Sequence, residues 1–141
     1  MEPLDLSGLP EQALLLLDSA PIIYFLEEHP KFGPRFQLLF EEHAKGRVQF
    51  AVTTITIAEV LAGPLSVGDE SLVRRYRHIL ESWQVVALTA EIAESAARVR
   101  TAFRLKLADA VQVASALAVN ADALVTHDRD FTSVQSLRVI S

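Results

Sequence analysis

Cysteine is absent from the 141 residues. That removes disulfides, thiolate metal sites and cysteine nucleophiles together, and it suits a reducing compartment. No apolar run approaches the roughly 18 residues that a membrane-crossing helix needs. The opening MEPLDLSGLPEQ carries Glu2 and Asp5 where a secretory signal would carry lysine or arginine. The expectation is a cytoplasmic protein with no membrane segment. A basic surplus is missing too, since 13 Lys and Arg face 18 Asp and Glu for a net charge of −5. This argues against a protein that coats nucleic-acid phosphates with its whole surface. The argument weakens where acids gather at one place and a divalent cation covers them.

Several catalytic signatures are also missing. The chain has no G-x-G-x-x-G after a strand, no Walker loop, no G-x-S-x-G elbow and no H-E-x-x-H. Its four histidines, His29, His43, His78 and His127, lack zinc spacing. His127 reads as an exposed turn residue.

What is present is apolar. Half the residues are hydrophobic, enough for a single domain with its own core. LLLL (Leu14 to Leu17) reads as a buried strand ending at Asp18, preceded by a short extension over residues 1–13. Pro21 fits the first position of a helix that runs through IIYFLEE toward His29 and Pro30. A helix over 32–44 stops at Gly46, and VQFAV (Val48 to Val52) is a strand. TTITIAEVLAG reads as a strand end, a threonine cap and a short helix closed by Gly63-Pro64. Further helices are expected over 69–82, 89–104 and 108–119, with strands at WQVVAL, ALVT and LRVI. Alternating strands and helices predict a three-layer α/β/α domain over 14–141 with a mostly parallel sheet. Ligands of such sheets bind beyond the carboxyl ends of the strands. Asp18 and Asp128 both fall there.

Each acid near that edge also has a plain structural role to set against function. If the helix begins at Pro21, its cap is Ala20, which leaves Asp18 without that role and favours function. Glu59 completes the capping box TIAE from Thr56, which favours structure. Asp109 stands in the first turn of ADAVQVASALAV, where the helix dipole welcomes a carboxylate by about 0.3–1 kcal/mol, so the two roles are even. Turn chemistry accounts for both Asp128 and Asp130. Taken together, carboxylates converging on one edge would repel without a counter-cation. Oxygen-only ligation suits Mg²⁺ or Mn²⁺ acting on a phosphodiester. RRYRH (Arg74 to His78) is mostly a solvated helix face, while Arg100, Arg104 and Lys106 lead toward Asp109 and suit contact with a polyanion.

At these residues the chain resembles a PIN domain, and within that family the VapC-type ribonuclease toxins of bacterial and archaeal toxin–antitoxin modules. The most specific stretch is LADAVQVASALAVNADALVTHDRDF, in which an Asp opens an alanine-rich helix and a strand ends in T-x-D-x-D-F. LLLLDSAPIIYFLE resembles the family's first strand and first acid, and TTITIAEVLAG its second acid. The resemblance implies metal-site acids at Asp18, Glu59, Asp109 and Asp128, with Asp130 in support. It implies helper roles for Ser19 and Thr126 beside the metal or the phosphate. It further implies Mg²⁺- or Mn²⁺-dependent endoribonuclease activity on RNA such as tRNA, rRNA or mRNA, a homodimer, and a small antitoxin partner. Ala20 departs from the Asn that many members carry two residues after the first acid. Two other readings compete: a non-catalytic PIN-fold module that binds metal or RNA, and a receiver-like signalling domain. The latter needs a phosphoacceptor Asp after a middle strand, where this chain has Thr53 and Thr54.

Overall fold

The structure is a computed structural model that describes residues 2–128, 131, 134 and 136–141. Its elements run β1 (Ala13–Leu17), α1 (Ser19–Leu26), α2 (Gly33–Ala44), β2 (Val48–Thr53), α3 (Thr54–Ser66), α4 (Glu70–Glu81), β3 (Gln84–Val86), α5 (Ala90–Phe103), α6 (Leu107–Ala118), β4 (Ala123–Val125) and β5 (Val139–Ile140). The strands form one sheet in the order β3-β2-β1-β4-β5, and every pair is parallel. This is the expected three-layer α/β/α architecture.

β1 lies at the centre, paired to β2 on one side and β4 on the other. Its unbroken leucines follow from that place, because a strand covered on both faces needs apolar residues at every position. Leu15 and Leu17 pack toward a core that includes Ile22, Phe36, Leu39, Val60 and Leu80, from α1 to α4. Leu16 points the other way, into a core with Ala96 of α5 and Ala110, Val113 and Ala114 of α6. The run of small residues in α6 lets that helix lie close against the sheet. Residues before β1 fold onto the first core, where Leu4 is buried. The Arg35 guanidinium donates to the backbone oxygens of Glu2 and Ser141 and so ties the segment before β1 to the residue after β5.

Three local expectations are corrected. α1 begins at Ser19, with Asp18 as its cap (φ −74°, ψ 165°), and not at Pro21. Proline is tolerated at the third helical position because the N–H it lacks would have had no partner within the helix. The same helix stops at Leu26 and does not run on to His29, whose Nδ1 accepts the N–H groups of Lys31 and Phe32 and turns the chain. α3 passes through Gly63-Pro64 to Ser66. Pro64 sits buried in the last turn, so its missing N–H costs the helix one bond near its end, and the left-handed Gly68 (φ +69°) makes the stop.

Candidate active site

The strand order changes direction at β1: β2 and β3 extend the sheet one way, β4 and β5 the other. A crevice opens above the carboxyl ends of strands at such a switch point. Here it is a cleft of about 460 Å³, and Asp18, Glu59, Asp109 and Asp128 all line it. Asp18 follows β1 and Asp128 lies just beyond β4. Asp109 is the third residue of α6 and Glu59 stands in the second turn of α3.

Asp18 is held from three sides. Its Oδ1 accepts the Ser19 N–H at 2.9 Å and Gln112 Nε2 at 2.9 Å. Its Oδ2 accepts the Thr126 hydroxyl at 2.9 Å. Thr126 is fully buried, and its oxygen in turn accepts the Asp128 N–H at 3.0 Å. Asp18 is therefore both a helix cap and a wall of the cleft, so the sequence argument that separated those roles does not hold.

The capping-box role expected for Glu59 is overturned. β2 runs one residue further than expected, so the cap is Thr53, whose Oγ1 accepts the Thr56 N–H at 3.1 Å. Thr56 then becomes the third helical residue and is buried. Glu59 is carried one turn beyond capping reach, to the mouth of the cleft. Partial burial pushes the proton affinity of its carboxyl above the usual carboxylate range. The negative charge of Asp18 pushes the same way, and a hydrogen bond with Ser19 partly opposes the shift.

His127 is not an exposed turn residue. It is half-buried, its Nδ1 lies 3.1 Å from the Tyr24 hydroxyl, and its ring meets Phe32 at 4.5 Å and Tyr24 at 5.4 Å. Both Tyr24 and His127 line the cleft. Their contact spans 103 positions, beyond the reach of any local pattern. Gln112 was also missed. A large polar residue one turn after Asp109, in a helix made mostly of alanine, valine and leucine, was the available signal. Arg100, Arg104 and Lys106 are exposed on α5 and the α5–α6 corner, and none of them lines the cleft. Asp130 lies outside the described residues.

A family model described as the PIN domain matches residues 15–137. The chain belongs to the PIN domain family. Solved structures share its fold. A toxin–antitoxin complex from Klebsiella pneumoniae has a chain 23% identical with a TM-score of 0.71, over 87% of this chain and 94% of that one. VapBC2 from Rickettsia felis, bound to a DNA fragment from its promoter, has one 20% identical at 0.71, over 89% and 96%. VapC20 from Mycobacterium tuberculosis, a sarcin-ricin-loop-cleaving toxin, is 16% identical at 0.69, over 86% and 95%. No match was found among curated proteins.

The cleft of this PIN domain suits a hard cation by its donor chemistry. Its acids offer only oxygen ligands, and no lysine or arginine is among the described residues lining it. The charge of Asp18 raises the proton affinity of Glu59, a like-charge repulsion of the kind a cation relieves. Among the described residues, no three His, Asp or Glu side chains already form a ready-made cage. Mg²⁺ and similar ions do not require one, since they commonly bind through one or two carboxylates and keep several waters. No helix among the described residues is long and apolar enough to cross a membrane.

Proposed function

We propose that this PIN domain is a cytoplasmic endoribonuclease dependent on Mg²⁺ or Mn²⁺ and the toxin of a toxin–antitoxin pair. The observation that carries this reading is the meeting of four carboxylates in one switch-point cleft, with the charge of Asp18 acting on Glu59. VapC20, a toxin that cleaves the sarcin-ricin loop, supports RNA as the substrate class. The Klebsiella and Rickettsia complexes support a small antitoxin as partner. A homodimer is part of the same proposal.

Asp18 and Asp109 would hold the cation directly, with Glu59 and Asp128 completing its surroundings through water. When bound, the ion supplies charge stabilisation for an in-line displacement at phosphorus and favours ionisation of a nearby water. The protein's own residues do the rest. Thr126 and Ser19 keep Asp18 in place and border the phosphate position. Glu59, with its raised proton affinity, is suited to take a proton from the attacking water. Arg100, Arg104 and Lys106 draw the RNA backbone toward the cleft from outside it.

The test is cleavage of a panel of structured RNAs by the purified chain with Mg²⁺, with Mn²⁺ and with EDTA, beside Asp109→Asn. Metal-dependent cuts that the variant fails to make are expected. Cuts that persist in EDTA would remove the metal from the mechanism. Mn²⁺ uptake with no cleavage of any RNA would favour a non-catalytic PIN-fold module.

A further inference from the structure

Gln112 is almost wholly inaccessible to solvent, yet it carries a carboxamide with three hydrogen-bonding partners. Its Nε2 donates to Asp18 Oδ1 at 2.9 Å and to Thr56 Oγ1 at 2.6 Å, and its Oε1 accepts the Thr53 hydroxyl at 2.8 Å. The orientation of the amide follows from chemistry, because only the NH₂ end can face a carboxylate. Both donors are thereby used, and the group cannot flip without setting oxygen against oxygen.

These contacts join the parts of the chain that supply the acids. Gln112 stands one turn after Asp109 on the same face of α6. Thr56 stands one turn before Glu59 on α3. Asp18 directly follows the central strand. One side chain therefore locks three acid-bearing elements to one another, and it does so without a charge of its own. A lysine or arginine in its place would neutralise Asp18 and compete with a cation.

The bonds also discriminate between the two oxygens of Asp18. A carboxylate oxygen accepts two good hydrogen bonds, and Oδ1 already has two, from Ser19 N–H and Gln112 Nε2. Among the described residues, Oδ2 accepts the Thr126 hydroxyl alone. We propose that Gln112 is the positioning residue of this site, saturating Asp18 Oδ1 so that Oδ2 is the atom offered to a divalent cation. The proposal rests on the metal-dependent reading above and adds to it a residue outside the acid set.

The test is Mn²⁺ binding to the full chain by isothermal titration calorimetry, with wild type and Gln112→Met, alongside thermal melts of both. Groups that orient a ligand without touching the metal typically contribute about 10–100-fold in affinity, so the folded variant should bind Mn²⁺ at least roughly tenfold more weakly. Its RNA cleavage should recover in part as Mn²⁺ is raised. A purely structural Gln112 would lower the melting temperature and leave the Mn²⁺ affinity of the folded variant unchanged, which would overturn the proposal. Should Gln112→Met fail to fold, the wild-type side chain carries the test by NMR. Its two Nε2 proton signals should be slow to exchange and should shift along the Mg²⁺ titration; signals that exchange fast or stay fixed would overturn it. Wild-type chain that takes up no Mn²⁺ would overturn the metal-dependent reading itself, and this proposal with it.

Discussion

The Thr126 hydroxyl donates to Asp18 Oδ2 at 2.9 Å while its oxygen accepts the Asp128 N–H at 3.0 Å, so one threonine fixes two acids of the cleft. Thr126→Val keeps the shape and removes both bonds. An unsatisfied buried group costs about 1–3 kcal/mol, and urea unfolding of the variant should show a loss in that range. RNA cleavage should fall as well. A variant as stable and as active as wild type would show that the hydroxyl does neither job.

Asp109→Asn tests the acid of α6. The change keeps the side chain's shape and gives up about 0.3–1 kcal/mol of helix-dipole interaction, and a thermal melt should show the fold retained. Charge stabilisation by a metal is worth several kcal/mol, and about 1.4 kcal/mol is tenfold in rate. Cleavage should therefore drop by about a hundredfold or more, read as initial rates at fixed Mg²⁺. Wild-type rates would remove Asp109 from the mechanism.

Glu59 should cost the metal-free fold stability. Its carboxyl holds a proton more tightly in the folded chain than in the unfolded one, because of partial burial and the charge of Asp18. The ionised form is thus penalised on folding at neutral pH. This penalty disappears as pH falls through the raised folded value. Glu59→Gln in EDTA should be slightly more stable than wild type at pH 7, by under about 1 kcal/mol for so open a pair, and the gap should close toward pH 4. A destabilised variant at pH 7 would contradict this account.

His43 should act in the opposite direction. Its ring stacks on Phe50 with centroids 4.1 Å apart and meets Trp83 edge-on at 6.0 Å, and burial makes it harder to protonate than an ordinary histidine. The unfolded chain therefore binds this proton first. Stability from His43 is present above its ordinary value near 6.5 and is lost as pH falls toward the lower folded value. Thermal melts between pH 7.5 and 5.5 should show a smaller decline for His43→Phe than for wild type. Equal slopes would assign the decline to other groups.

The sheet and the acids were legible because they depend on local signals. Leu14 to Leu17 announces a strand covered on both faces, and Asp109 marks the opening of an alanine-rich helix. Boundaries read less well. Thr53, Thr54 and Thr56 are each competent caps, and only the length of β2 decides that Thr53 is the one. That single register choice separates a capping glutamate from one at the cleft. Least legible were Gln112 and His127, whose partners lie far away in the chain. A buried carboxamide between Asp18 and Thr53 is visible only once β1, β2 and α6 have been brought together.

Asp18 takes its shape from Thr126, which lies 108 positions later. During synthesis, β1 leaves the ribosome well before α6 and β4. Until then Asp18 has neither the Gln112 carboxamide nor the Thr126 hydroxyl to hold it, and Asp109 and Asp128 are not yet there. A nascent chain that stops short of β4 therefore lacks the complete cleft, and whatever chemistry the acids perform waits until α6 and the residues that follow β4 have been translated.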